Sequence, residues 1–162
     1  MATLGGYGIS LDLPTGWEAR ITMRELEPVD AARSSATGAD ARAATTGALV
    51  HAANFPLPTG AGDFGSGAVE VMSNPDLLVI LFEYDRASAS AAMFAATGVP
   101  RVKADDFSPV ALQRVLEGQG GVQKFFNEAG RALCLYVVLG SYARRVRTVP
   151  VINELLAGIK IT

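Results

Sequence analysis

The glycine-rich stretch that starts at Gly60 has a spacing that can support phosphate binding. Gly60, Gly62 and Gly65 fit the pattern G-x-G-x-x-G. In dinucleotide-binding folds this pattern follows a strand, and its main-chain N–H groups bind a pyrophosphate. Asp85 lies about 20 residues after Gly65, where such folds place the acid that binds a ribose hydroxyl. These four residues are therefore candidates for a cofactor site.

Three features favour a surface loop over a nucleotide site. Pro56 and Pro58 separate the preceding strand from the glycines, and Asp63 would place a negative charge among amides meant for phosphate. The stretch 68–72 is too short for the crossover helix that a nucleotide-binding fold requires. Glycine also suits a flexible loop, because it adopts backbone angles that other residues avoid. We therefore predict no bound cofactor, and we keep small-molecule or nucleotide binding by Gly60–Gly67 as the alternative.

His51 is the only histidine and Cys134 the only cysteine. A histidine base needs a nucleophile and an orienting acid. The carboxylates near strand and helix ends are Glu83, Asp85 and the pair 105–106. A hydrolase that uses His51 is thus a further alternative, although a buried, hydrogen-bonded ring and helix capping explain the same residues. Cys134 lies between two leucines, which indicates a buried structural thiol, and no Cys/His spacing predicts a metal site.

Arg144, Arg145 and Arg147 form the one basic cluster of the sequence. Guanidinium groups bind phosphates and carboxylates, so these residues are candidates for contact with an acidic partner. A solvated connection between the central strand and the last helix is the favoured interpretation of this cluster. The chain as a whole has a net charge of −2, whereas nucleic-acid binders usually present a broad basic surface. We therefore expect no nucleic-acid binding.

A β-hairpin over 123–142 is predicted to organise the chain. Its connection, 127–130, contains a glycine, as hairpin loops of three to five residues do. The second strand begins at Arg131 and is apolar on both faces, which predicts a central strand covered on both sides. One face carries Leu133, Leu135, Val137 and Leu139, and the other carries Cys134, Tyr136 and Val138.

Alternating or continuous apolar runs predict the remaining strands. Stretches 8–13 and 17–24 flank Pro14-Thr15-Gly16 and are expected to pair with each other, with Trp17 as a core anchor. The other predicted strands are 48–55, 77–84 and a short edge strand at 159–161.

Three helices are predicted. They cover 85–97, a short stretch that opens at Ser108–Pro109 and stops at Gly118, and 148–157. The last helix has Val151, Ile152, Leu155 and Leu156 as its apolar face. The stretch 27–47 has almost no large apolar residue, which indicates a mobile loop, a weak helix or an insertion that orders against a partner.

Composition sets further limits. The chain has 162 residues, of which 49% are hydrophobic and 19% charged, and this length is typical of one domain. The start of the chain does not resemble a signal peptide, and the apolar runs are shorter than the ~20 residues of a membrane helix. We therefore expect a single soluble, cytoplasmic domain without membrane insertion.

The run Ile9–Trp17, the strand that follows Gly130–Arg131 and the C-terminal helix resemble the Mog1/PsbP-like fold, which includes the mycobacterial LpqN-type proteins. The resemblance implies an α+β fold, in which α-helices flank an antiparallel sheet. Members of this fold are mostly adaptors or assembly factors that bind other proteins. The Ala- and Gly-rich composition is similar to that of actinobacterial proteins, some of which are accessory subunits of contractile, phage-tail-like particles.

These observations predict a non-enzymatic, protein-binding adaptor or a structural subunit of a larger assembly. A high apolar fraction in a protein of this size favours an interface with another protein or with further copies of the chain. The expected partner is a protein whose identity the sequence does not indicate.

Overall fold

Eight strands form two antiparallel sheets in the computed structural model, which describes residues 1–26, 46–60, 62 and 64–162. The strands are β1 (Ala2–Gly6), β2 (Ile9–Leu13), β3 (Glu18–Glu25), β4 (Thr46–Ala53), β5 (Leu77–Glu83), β6 (Gly120–Glu128), β7 (Arg131–Leu139) and β8 (Ile159–Ile161). One α-helix, α1 (Arg145–Ala157), accompanies them in these ranges. The small sheet has the order β1-β2-β8, and the large sheet has the order β3-β4-β5-β7-β6. The stretch predicted as an insertion lies outside the described residues, except for Thr46 and Gly47, which begin β4.

The β6–β7 pair confirms the predicted hairpin and the central, buried position of its second strand. β7 lies between β5 and β6, and all its residues are buried. The connection is shorter than predicted, because β6 continues through Glu128 and only Ala129 and Gly130 form the turn. Both have positive φ, +53° and +73°, as a two-residue type I′ turn requires.

One face of the large sheet packs against the small sheet and α1. Leu133 and Leu135 of β7 belong to this core, as do Ile9 and Leu11 of β2. The helix contributes Ile152, Leu155 and Leu156, whereas Val151 is exposed and does not belong to the apolar face that was predicted for it. α1 begins at Arg145, one turn before the predicted start, and Pro150 therefore lies inside it.

The other face of the large sheet is covered by irregular segments instead of helices. Phe82, Cys134 and Tyr136 project from this face and pack against side chains of the connection between β4 and β5 and of the stretch 108–118. Gly65 lies directly on the sheet, where a Cβ atom would come within 2.5 Å of Leu78 Cδ2. A side chain at this position would therefore push the loop away from the core.

The predicted pairing of the first two strands is wrong. β2 pairs with β1 and β8 in the small sheet, while β3 pairs with β4 in the large sheet. The sequence pattern does not predict β1, because its glycines interrupt the apolar alternation. Trp17 is half-buried against the core between the two sheets and α1, in agreement with the anchor role that was predicted for it.

Two of the three predicted helices are also wrong. The stretch 85–97 contains two short 3₁₀ turns, Arg86–Ser90 and Ala92–Phe94, with Ala91 extended between them. Serine side chains in this stretch bond locally and compete with helical bonding. The stretch that opens at Ser108–Pro109 forms no helix, since the main chain of Ser108 pairs with Gly121 of β6 through two hydrogen bonds of 2.9 Å.

A buried ion pair within the large sheet also contacts the end of the small sheet. Arg131 donates from Nε to Oε1 of Glu83 (2.8 Å) and from Nη2 to Oε2 (2.9 Å). Glu83 Oε2 also accepts the N–H of Ala48 at 2.9 Å. The remaining Nη1 of Arg131 donates to the main-chain oxygen of Thr162 at 3.1 Å, directly after β8. The pair therefore fixes the end of the small sheet to the large sheet.

Replacement of Glu83 by Gln is expected to lower the free energy of unfolding by about 3–5 kcal/mol, because it leaves the buried Arg131 charge without its carboxylate. Urea denaturation of the wild-type protein and of Glu83→Gln measures this difference. The control is Arg114→Gln, which breaks the exposed pair with Glu70 and should cost at most about 1 kcal/mol. Equal losses in the two variants would contradict the prediction.

The same ion pair is expected to make the stability depend on pH. Burial alone would raise the pKa of Glu83, but the hydrogen bonds from Arg131 and Ala48 and the charge of Arg131 lower it below its usual value of 4.5. The carboxylate therefore stabilises the fold fully above the unfolded-state pKa, and this contribution is lost as the pH falls through the lower folded-state pKa. Urea denaturation from pH 6 to pH 3 should show a steeper loss for the wild-type protein than for Glu83→Gln, and parallel curves would contradict this.

Candidate functional site

A cleft of about 500 Å³ lies beside β8, the edge strand of the small sheet. Its lining consists of Val99, Pro100, Arg101, Glu128, Leu156, Ala157, Ile159, Lys160 and Ile161. It is thus bounded by the stretch 99–101, the end of β6, the end of α1 and β8. The sequence predicts β8 as an edge strand, and the structure confirms it.

The register of β8 determines which of its main-chain groups are available. Thr162 N–H donates to Gly8 at 2.8 Å, and Asp12 N–H donates to Gly158 at 3.0 Å. Lys160 is paired with Ser10 between these two positions. Because hydrogen-bonded and non-hydrogen-bonded pairs alternate in an antiparallel ladder, the main-chain groups of Ile159 and Ile161 are directed away from β2. Within the described ranges no strand pairs with this second edge of β8.

Side-chain charges surround this edge. Arg101 and Lys160 are exposed, and Glu128 is half-buried. Across the part of the chain that the structure describes, none of these three side chains forms an ion pair. The cleft therefore combines an apolar floor, free main-chain groups and two available cations, against one carboxylate at Glu128. These are the features with which a sheet edge binds an extended peptide that carries carboxylates.

The wall opposite β8 is held in place by α1. Asn153 accepts the N–H of Val102 and donates to its carbonyl oxygen, both at 2.9 Å. Gly98 N–H donates to Asn127 of β6 at 2.9 Å. These contacts fix both ends of the stretch that carries Arg101, so the cleft does not depend on a freely moving loop.

The glycine pattern lies in a different setting from that of a dinucleotide site. The strands on either side of it, β4 and β5, are antiparallel, and the 3₁₀ turn Val69–Val71 is the helical element between them in the described residues. Gly60 has φ +80° in an exposed turn, whereas Gly62 and Gly65 form a main-chain turn of their own, with a 2.8 Å hydrogen bond. Asp85 accepts a hydrogen bond from the Ser88 hydroxyl.

His51 is buried in β4 and supports this glycine loop. Its Nε2 donates to the carbonyl oxygen of Gly62 at 2.9 Å. The ring shares its core with Leu49, Ala53 and Phe55, as the alternation of the strand predicts. A catalytic histidine would use a ring nitrogen to take a proton from a substrate. In His51 the Nε2 nitrogen is instead bonded to the main chain of the glycine loop.

Three of the acids from the sequence analysis, Glu83, Asp85 and Asp106, have structural partners. Asp106 forms a 2.9 Å ion pair with Lys124 and accepts the N–H of Lys103 at 2.8 Å. Burial alone would raise the pKa of Asp106, but these contacts lower it. Asp105, its neighbour, is exposed. Among the residues with described positions, no group of three histidine, cysteine or acidic side chains is close enough to hold a metal ion.

The basic cluster lies at the start of α1, outside the residues that line the cleft. The Arg145 guanidinium stacks 4.2 Å from the centre of the Tyr142 ring and donates to the Tyr142 carbonyl oxygen at 3.2 Å. Arg144 and Arg147 are exposed. Sequence reasoning missed Arg101 and Lys160 because each is a single cation between apolar neighbours, and only the fold brings them together.

Comparisons with protein-family models, with curated proteins and with solved structures gave no match to this chain. None of the described helices is long and apolar enough to cross a membrane.

The thiol of Cys134 is expected to be inert in the folded protein. It is fully buried, and burial raises its pKa to about 12, although a hydrogen bond from Gln123 acts in the opposite direction. Because the thiolate is the reactive form, an aromatic disulfide reagent at pH 8 should label less than about one tenth of the protein in an hour, and all of it in 6 M guanidinium. Rapid labelling of the native protein would contradict this prediction.

Proposed function

We propose that this protein is a non-enzymatic protein-binding adaptor, which accepts an extended acidic segment of its partner as an added strand beside β8. The observation that carries the proposal is the free edge of β8 between Arg101 and Lys160. Strand addition provides affinity through main-chain hydrogen bonds and specificity through alternate side chains. Two cations beside the edge favour carboxylates at those side-chain positions.

The length of β8 limits the strength of this contact. Only Ile159 and Ile161 direct their main-chain groups outward, so few hydrogen bonds with a partner are available. Val99 and Leu156 add apolar contact along the floor of the cleft. A contact with so few main-chain hydrogen bonds favours a transient complex, which suits an adaptor better than a permanent building block.

We also propose that the chain has the Mog1/PsbP-like fold that its sequence resembles. Support comes from the large antiparallel sheet backed by a C-terminal helix, together with a small sheet that contains the N-terminal strands. The protein-binding role of that fold family agrees with the proposed adaptor function. A role as a subunit of a contractile, phage-tail-like particle is the related proposal, in which the acidic segment belongs to a neighbouring subunit.

Binding is tested with a fluorescent hexapeptide of alternating Val and Glu, capped at both ends, with the matching Val/Lys peptide as a reference. Fluorescence anisotropy should detect saturable binding of the acidic peptide only. The double variant Arg101→Glu/Lys160→Glu should weaken this binding by about tenfold or more, since it replaces two attractions with repulsions.

The matched control is Arg144→Glu/Arg147→Glu, which changes the net charge equally but alters the basic cluster on α1. It should change the affinity by less than about twofold. Hydrogen exchange provides a second measurement: the peptide should protect the amides of Ile159 and Ile161, whereas Lys160 is protected in the free protein. Equal effects of the two double variants, or no added protection in β8, would overturn the proposal.

A further inference from the structure

A second cavity, of about 250 Å³, lies on the face of the large sheet that points away from α1. Its lining residues come from the glycine-rich loop, the stretch 112–114 and β7. They are Phe64, Ser66, Val69, Leu112, Gln113, Arg114 and Tyr136. This volume is slightly below the range of about 300–1,000 Å³ for ligand pockets, so only a small molecule fits.

Tyr136 provides a buried polar group in the cavity. Its side chain is buried, and its hydroxyl oxygen accepts the N–H of Gln113 at 2.8 Å. The hydroxyl proton has no acceptor among the described residues. Burial raises the pKa of Tyr136, so the hydroxyl keeps its proton at neutral pH. A buried donor without an acceptor is costly, which favours a ligand or a water molecule that accepts from it.

Phe64, Val69 and Leu112 form the apolar part of the wall, and Ser66 and Gln113 add polar side chains to it. The Phe64 ring meets the Phe82 and Tyr136 rings edge-on, with centroid distances of 4.8 Å and 5.4 Å. Leu112 and Val69 are buried opposite this cluster. Aromatic edges and aliphatic side chains of this kind favour a flat apolar ligand.

Arg114 lines the cavity and forms an ion pair with Glu70, which is not a lining residue. Arg114 Nη1 lies 2.6 Å from Glu70 Oε1, and the two side chains are 62% and 28% exposed. Glu70 Oε2 also accepts the N–H of Gly67 at 2.6 Å. The Arg114 charge is thus compensated by Glu70, and a ligand carboxylate would enter the cavity without a cation of its own. Burial of such a charge is unfavourable.

We propose that this cavity binds a neutral monocyclic aromatic carbonyl compound, whose carbonyl oxygen accepts the hydroxyl proton of Tyr136. The ring lies against Phe64, Val69 and Leu112, and the carbonyl group completes the hydrogen bonding of the buried hydroxyl. This function is independent of the adaptor role, because the cavity and the β8 cleft lie on opposite faces of the large sheet.

The proposal is tested with acetophenone, with ethylbenzene as the ligand without the oxygen and benzoate as the charged one. Two-dimensional ¹H–¹⁵N NMR titrations of the wild-type protein should give saturable shifts at the amides of Phe64 and Gln113 with acetophenone. Tyr136→Phe should weaken acetophenone binding by about three- to tenfold, the value of one hydrogen bond, and leave ethylbenzene binding unchanged. The control Tyr142→Phe, whose ring lies outside the cavity, should change neither affinity.

The infrared carbonyl stretch of bound acetophenone adds a measurement that needs no variant. It should move to lower frequency than in an apolar solvent if the oxygen accepts a hydrogen bond. An unshifted stretch, equal losses of both ligands in Tyr136→Phe, tighter binding of benzoate, or no saturable shifts at Phe64 and Gln113 would each overturn the proposal. The last result would mean that water alone satisfies the hydroxyl.

Discussion

The ion pair between Glu83 and Arg131 is the contact on which the arrangement of the two sheets depends. Both side chains are buried, and the Arg131 guanidinium, which projects from β7, contacts two other parts of the chain: β5 and the residue after β8. Gly8 lies directly beside it with φ +76°, and a Cβ atom there would lie 2.7 Å from Arg131 Nη1. The small sheet can therefore approach the large sheet closely only with a glycine at this turn.

One face of the large sheet is covered by regular structure and the other by loops. α1 and β8 follow each other directly, and the ion pair holds the end of β8 over β5 and β7. The opposite face has no such support, and short contacts secure its loops instead. They include the bond from His51 to Gly62 and the bond from Gln119 to the Val69 carbonyl oxygen at 2.7 Å. Both candidate sites arise where these layers leave space.

The sequence predicted those parts of the fold in which local pattern and burial agree. In β7 the alternating pattern correctly places Leu135 on the face that packs against α1 and Tyr136 on the opposite face. The continuous apolar run of β5 likewise predicted a buried strand. The pairing of β2 could not be predicted, because β1 and β3 are both adjacent in sequence and only packing selects between them. The helix predicted for 85–97 does not form, because a helix needs a row of buried residues along one side and Phe94 is the only buried residue of this stretch. The candidate sites could not be predicted from the sequence, because their residues come together only in the folded chain. Gln113 and Tyr136, for example, are 23 residues apart.

The position of Lys160 at the centre of β8 has a consequence for self-association. Two copies that paired through their β8 edges about a twofold axis would set Lys160 directly opposite Lys160, and like charges in that position repel each other. Short edge strands that carry lysine are a common protection of natural sheets against uncontrolled pairing. The same side chain that attracts an acidic segment would thus keep copies of the protein apart. In a crowded cell, this edge would remain open for a different partner.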